Sequence, residues 1–334
     1  MGFVARSSGF ADRSGLTGAE GSAGGGALER GAEFGVLGRF VSEAGVSDVF
    51  VNPDGAVWWD RGRGAERADE IRIPAGEARE LAVRLIARGG RHVDEATPCV
   101  DVRLGDGVRV HVVLPPVATG GAAISIRLQR PRVLGVAELA AEGFFELVPM
   151  AEVGALVARR ANLLITGAGG SGKTTLLGAL LATAPASERI VVLEDVAELR
   201  VAHPHVVALE ARQPNLEGAG AVGLDRLVRE ALRMRPDRLV VGECRGAEVR
   251  ELMAALNTGH DGGAGTLHAN SLADVPARLE ALGSLAGLPA EALGRQAVSA
   301  FGAVLHVERV GTRRRLAALG QLELDGRGRL TVAV

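Results

Sequence analysis

The chain has 334 residues, 47% of them hydrophobic and 23% charged, an ordinary globular balance with room for about two domains. A net charge of −2 and an aromatic content of 3% give no general pull toward nucleic acid or anionic lipid, and the two cysteines, Cys99 and Cys244, match no metal-ligand spacing. No run of about 20 apolar residues occurs, since the longest candidate, Leu139 to Ala158, is broken by Glu142, Glu146 and Glu152, and the N-terminus lacks an apolar signal-peptide core. The expectation is a cytoplasmic protein that reaches a membrane only through a partner.

Residues 1–30 are rich in Gly, Ser and Ala and read as a flexible tail. Residues 31–130 read as a smaller mixed α/β domain. It starts with a strand at Asp48–Asn52, a turn at Asn52-Pro53-Asp54-Gly55 and a strand at Ala56–Trp59. A helix follows over Gly76–Arg88, with Leu81, Leu85 and Ile86 on one side. Two alternating strands flank Gly105-Asp106-Gly107. In the second, Val108, Val110, Val112 and Leu114 share one face and Arg109 and His111 the other. Ile124–Leu128 is a further strand with Ser125 and Arg127 on its polar face. From residue 131 to 334 the pattern changes to apolar strands alternating with helices, as in a parallel sheet, with Leu163–Ile165, Ile190–Leu193 and Leu239–Val241 at its centre.

Gly167-Ala168-Gly169-Gly170-Ser171-Gly172-Lys173-Thr174 fits the phosphate-loop (Walker A) pattern, between a predicted strand and a predicted helix, and Thr175 continues it. Glycines let consecutive N–H groups turn around a phosphate, and the helix N-terminus adds partial positive charge. Of 38 basic residues only Lys173 is lysine, where a compact ammonium suits β- and γ-phosphates better than a planar guanidinium. The hydroxyl of Thr174 suits Mg²⁺. These residues predict binding of ATP and Mg²⁺.

Two acidic strand ends predict hydrolysis. Glu194-Asp195 follows Ile190–Leu193, and Glu243 follows Leu239–Gly242, both at the edge where parallel sheets bind ligands. The second resembles a Walker B strand, with Gly242 where Asp is usual, so Glu243 would hold Mg²⁺ indirectly, through water. Either Glu243 or Glu194 could orient the attacking water.

Several segments together resemble the type II/IV secretion and pilus-assembly ATPases, and most closely the tight-adherence (Flp pilus) branch. They are the phosphate loop, Leu193–Leu199, Leu232–Asp237, Val241–Gly246 and Thr258–Asn270, with Asp48–Asn52, Leu114–Pro116 and Ile124–Arg127 upstream. The resemblance implies a RecA-like C-terminal domain, a homohexameric ring, an acidic box at Glu194–Glu198, a Walker B glutamate at Glu243 and a His box ending at His268. It also implies an integral inner-membrane platform protein as partner. Thr266 and His268 then suit a γ-phosphate sensor, while His92, His111, His203, His205 and His306 read as structural or surface. A ring would bring arginines to the phosphates. Among Arg103, Arg109, Arg127, Arg233 and Arg235, Arg109 and Arg127 are favoured. Cys244 departs from the family's small aliphatic residue and is expected to leave at most a reactive thiol. Two cysteines exclude the four-cysteine zinc module of larger pilus-extension ATPases. A conjugation-type nucleic-acid motor is the alternative, with nucleic acid the less favoured partner.

Overall fold

Valines at 108, 110 and 112 alternating with Arg109 and His111 call for a strand with one dry face. The computed structural model, which describes residues 33–128, 133–212, 214 and 219–334, buries these valines and leaves Arg109 and His111 half-buried. The expected tail over residues 1–30 and the expected boundary at 130/131 fall outside the described residues. The chain divides into two compact units, Met1–Leu104 with Val108–Leu128 and Gly105–Gly107 with Gln129–Val334.

The first unit contains α1 (Gly38–Ser42), β1 (Asp48–Val51), β2 (Ala56–Asp60), β3 (Ala65–Arg72), α2 (Ala75–Arg88), β4 (Cys99–Leu104), β5 (Val108–Val113) and β6 (Ala123–Leu128). Its sheet runs β3-β2-β1-β6-β5-β4, with every neighbouring pair antiparallel. Helix α2 puts Leu81, Leu85 and Ile86 into one core with Val49, Val110 and Ile126. Strand β3 has no counterpart in the sequence reading, because only Ala68 of its eight residues is buried.

The second unit adds α3 (Val136–Ala141), α4 (Met150–Ala158), β7 (Leu163–Gly167), α5 (Lys173–Leu181), β8 (Ile190–Glu194), β9 (Val206–Glu210), α6 (Leu224–Leu232), β10 (Arg238–Cys244), α7 (Glu248–Leu256), β11 (Ala264–His268), α8 (Val275–Leu285), α9 (Ala290–Ala300), β12 (Ala303–Val310), β13 (Arg313–Leu324) and β14 (Leu330–Ala333). Its sheet runs β14-β13-β12-β7-β11-β10-β8-β9. Neighbours from β12 to β9 are parallel, whereas β13 and β14 add antiparallel strands at one edge. The sheet is therefore mixed rather than parallel to its end.

Both faces of this sheet are dry, which is why its central strands read as continuous apolar runs. Leu163, Ile165, Ile190, Val192 and Val240 pack with Leu176, Leu177 and Leu180 of α5 and Leu156 of α4. Leu164, Val191, Leu193, Leu239 and Val241 face the other way, toward Val228 of α6, Leu252 and Met253 of α7 and Leu293 of α9. At the edge where β8 and β10 begin, Glu188 pairs with both Arg160 and the buried Arg238, whose remaining N–H groups reach the carbonyls of Val157 and Gly262. A buried guanidinium needs such partners, because an uncompensated charge there costs several kcal/mol. Among the described residues no helix is long and apolar enough to cross a membrane.

Candidate functional site

Parallel strands all present their C-terminal ends to one edge, so residues far apart in sequence meet there. Gly167 ends β7, His268 ends β11, Glu243 lies near the end of β10 and Glu194 ends β8. The loop from Gly167 to Gly172 joins β7 to α5, and Lys173, Thr174 and Thr175 open that helix. Gly167 is required sterically. At φ +152° its missing Cβ would lie 2.2 Å from the Val307 carbonyl oxygen and 2.6 Å from Ser171 Oγ. Ala168, Gly169 and Gly170 are exposed on the rim, Thr174 is half-buried and Thr175 exposed.

Lys173 Nζ, buried under this rim, donates to the carbonyls of Gly167 at 2.9 Å and Ala168 at 3.0 Å. Burial pushes its ammonium below the ordinary lysine value, the nearby Glu243 carboxylate opposes the shift, and Arg245 adds to it. Ser171 is fully buried, and its Oγ has no hydrogen-bond partner among the described residues. Buried hydroxyls are nearly always satisfied. An orphaned hydroxyl beneath a glycine loop, next to a buried ammonium at a helix N-terminus, fits a polyphosphate.

The two candidate glutamates have different surroundings. Glu194 is 5% exposed, and its Oε1 accepts the backbone N–H groups of Glu198 at 3.1 Å and Leu199 at 2.9 Å, so it organises the acidic segment that follows it. Asp195 and Glu198 are exposed, and both have partners. Glu243 is 25% exposed, and its Oε2 accepts Arg245 Nε at 2.6 Å, with Nη2 also in contact. Gly242 accounts for the departure from the usual Walker B pair: a Cβ there would lie 2.5 Å from Glu194 Cγ and 2.8 Å from its Oε1. Glu194 fills the space that an aspartate at 242 would need.

Thr266 is buried and donates to the Gly242 carbonyl at 2.6 Å, joining β11 to β10 behind Glu243. His268 is exposed, lies opposite Gly167 in register, and its Cε1 is 3.4 Å from where a Gly169 Cβ would be. Lys173 and His268 thus lie at the loop, Glu243 acts on Lys173 electrostatically, and Glu194 lies against Gly242 on the neighbouring strand. Thr174, the second residue of α5, carries a hydroxyl and Glu243 a carboxylate of the type that suits Mg²⁺. Among the described residues no group of three His, Cys, Asp or Glu is built to hold a metal.

Arg109 and Arg127 belong to the other unit. Arg109 Nε pairs with Asp101 at 3.2 Å, an aspartate shared with His111, and Arg127 Nε pairs with Asp48 at 3.2 Å. Arg233 pairs with Glu230 on its own helix end. The sequence reading gives Cys244 little functional consequence and at most a reactive thiol, and its surroundings do not favour that reactivity. The side chain is 1% exposed, and burial pushes its thiol far up, with Glu248 and Glu243 adding to the rise.

Three contacts had no counterpart in the sequence reading, although His306 itself reads there as structural or surface. Buried Glu248 accepts the N–H groups of Arg245 and Gly246 (2.7 Å to the latter), fixing the turn after β10. Buried Thr166, just before the loop, and His306 on β12 meet at 2.9 Å between Oγ1 and Nδ1. Arg314 on β13 donates from Nε to the Gly170 carbonyl at 3.0 Å. None of Glu248, Thr166, His306 and Arg314 falls in a motif.

Residues 32–305 match the type II/IV secretion system protein family. A putative conjugal transfer protein of Mycobacterium tuberculosis is 49% identical over 302 residues, covering 88% of this chain and 86% of that one. Conjugal transfer protein TrbB of Rhizobium radiobacter is 31% identical and covers 85% of each. The pilus retraction motor PilT with bound ADP superposes with a TM-score of 0.59 at 20% identity, over 92% of this chain and 81% of that one, a likeness of fold. With its mixed α/β layout and these matches along most of its length, the chain belongs to the type II/IV secretion system protein family.

Proposed function

We propose that this protein is an ATPase that hydrolyses ATP with Mg²⁺, works as a homohexamer at the cytoplasmic face of the inner membrane, and drives type II/IV secretion or pilus assembly through an integral platform protein. The observation that carries the reading is the chain's one lysine, buried at the head of α5 under a glycine loop and electrostatically coupled to Glu243.

In this reading Lys173 exchanges its two loop carbonyls for β- and γ-phosphate oxygens, and Ser171 Oγ gains a partner. Mg²⁺ would neutralise developing phosphate charge, held by Thr174 directly and Glu243 through water. Glu243, the accessible glutamate, orients the attacking water, while Glu194 keeps the acidic segment in place. His268 stands beside the loop as a sensor of its state. Within a ring, Arg109 and Arg127 are the proposed phosphate-reaching arginines, and each would leave the aspartate it pairs with in the isolated chain.

A DNA-transfer motor is the second reading, favoured by the conjugal-transfer names of the two relatives. Near-neutral charge and few aromatics count against direct nucleic-acid contact. DNA-stimulated turnover would favour it.

Steady-state ATP hydrolysis with light scattering tests the proposal. The expected result is Mg²⁺-dependent turnover that rises with assembly into a ring of about six chains. Lys173→Ala is expected to abolish nucleotide binding, and Glu243→Gln to bind ATP but hardly turn over. Wild-type turnover in Glu243→Gln would remove Glu243 from its role, and absence of ATP binding by the wild type would overturn the central claim.

A further inference from the structure

Strand β12 runs parallel to β7, with Ala303 opposite Leu163 and His306 opposite Thr166. It then continues to Val310, four residues past that pairing and about 13 Å further at about 3.3 Å per residue. The β12–β13 hairpin therefore overhangs the phosphate loop. Val307 supplies the carbonyl that crowds Gly167, and Arg314 pairs with Arg309 across the hairpin. Leu316, two residues after Arg314, packs into the α5-side core, and its N–H reaches the Phe144 carbonyl at 2.8 Å. Alternation puts Arg314 on that same side, over the loop, and turns Arg313 and Arg315 away. Arg315 accordingly pairs with Glu308.

Arg314 meets the loop at two points. Its Nε donates to the Gly170 carbonyl at 3.0 Å, and its Cδ lies 3.1 Å from where a Gly172 Cβ would be, with the Phe144 ring 3.9 Å from the same point. Gly170 has φ +69°, a conformation in which the direction of its carbonyl decides where the neighbouring N–H groups point. An anion-binding loop needs its carbonyls facing out and its N–H groups facing in.

We propose that Arg314 is a positioning residue of the nucleotide site: from the overhanging hairpin it holds the Gly170 carbonyl outward and covers Gly172, keeping the loop in its phosphate-binding shape before nucleotide arrives. This rests on the reading of the site as an ATP site. The residue acts on the loop and not on the γ-phosphate, so ATP and ADP are affected alike.

The test is titration of fluorescent ADP and ATP analogues into the full chain and its variants, with steady-state turnover alongside. Arg314→Ala is expected to weaken both nucleotides about tenfold, the scale of one charge-assisted hydrogen bond, and to raise KM with kcat within about twofold. Arg314→Lys, which keeps a donor and a charge, should recover part of the loss. Arg313→Ala removes the same charge from the same hairpin on the face away from the loop, and should bind as wild type. Wild-type affinity in Arg314→Ala would overturn the proposal. So would equal losses in Arg313→Ala and Arg314→Ala, or a fall in kcat with affinity unchanged. A wild-type chain that binds no nucleotide, or a Lys173→Ala variant that binds normally, would instead strike the ATP-site reading and take this proposal with it.

Discussion

Gly242→Ala is the sharpest perturbation of the site, because it adds one methyl where the structure has none to spare. That Cβ would lie 2.5 Å from Glu194 Cγ, 2.8 Å from Oε1 and 3.0 Å from Cδ. Ordinary contact needs about 3.4 Å or more, so the Glu194 carboxylate must retreat by about 1 Å. Its bonds to the N–H groups of Leu199 and Glu198 already measure 2.9 and 3.1 Å and would stretch beyond hydrogen-bond range. Hydrogen bonds to a charged group contribute about 1.5–3 kcal/mol each, and overpacking costs about 1–3 kcal/mol. These costs are not additive, and a total of about 3 kcal/mol is a conservative expectation. For a domain of about 200 residues that lowers Tm by about 6–12 °C. Thermal unfolding followed by circular dichroism measures it. Gly242→Asp, which restores the usual Walker B residue, should be worse, since it puts a second carboxylate against a buried one. Combining Gly242→Ala with Glu194→Ala should cost less than the two single changes added together, because the methyl then has space. A Tm for Gly242→Ala within about 2 °C of wild type would refute the claim that Glu194 fills the space at 242.

Two further predictions concern the cysteines and the buried His306. With a thiol-reactive dye the native chain should label at the exposed Cys99 and not at the buried Cys244, whose label should appear only on unfolding. His306 should make the fold acid-sensitive. Burial holds its imidazole below the ordinary value near 6.5, with Lys173 adding to the drop, while Glu308, Asp274 and the hydrogen bond to the Asn270 backbone oppose it. A histidine with a depressed folded-state pKa binds protons more readily when unfolded, so its contribution is intact above about pH 6.5 and is lost as pH falls below it. His306→Asn should flatten the fall in urea-unfolding stability below pH 6.5, and an unchanged pH slope would contradict this.

How much of the chain was legible follows from the range of each interaction. The phosphate loop could be read because its whole function lies in eight consecutive residues between an apolar strand and an apolar helix face. Helix α2 and strand β5 could be read because one period and one dry face define each of them. Strand β3 could not, since a polar edge strand that buries only Ala68 carries no period-2 signal. The reversal of direction at β13 was equally hidden. Whether a strand after β12 runs parallel depends on the length of its connection, and the two residues Gly311 and Thr312 between Val310 and Arg313 permit only a hairpin. Within the site, the motifs named Glu194 and Glu243 but could not rank them. Their difference lies in which one accepts two backbone N–H groups and which one faces Arg245. Gly242 read as a missing aspartate, although in space it is the gap that Glu194 occupies from 48 positions away. Arg314 was one arginine among 37, and only the register of β12 against β7 carries it to Gly170, 144 residues earlier. A motif records which chemistry is possible at a strand end. The sheet's register decides which distant side chains hold that chemistry in place, so the residues most easily missed are those whose partners lie one strand away and far along the chain.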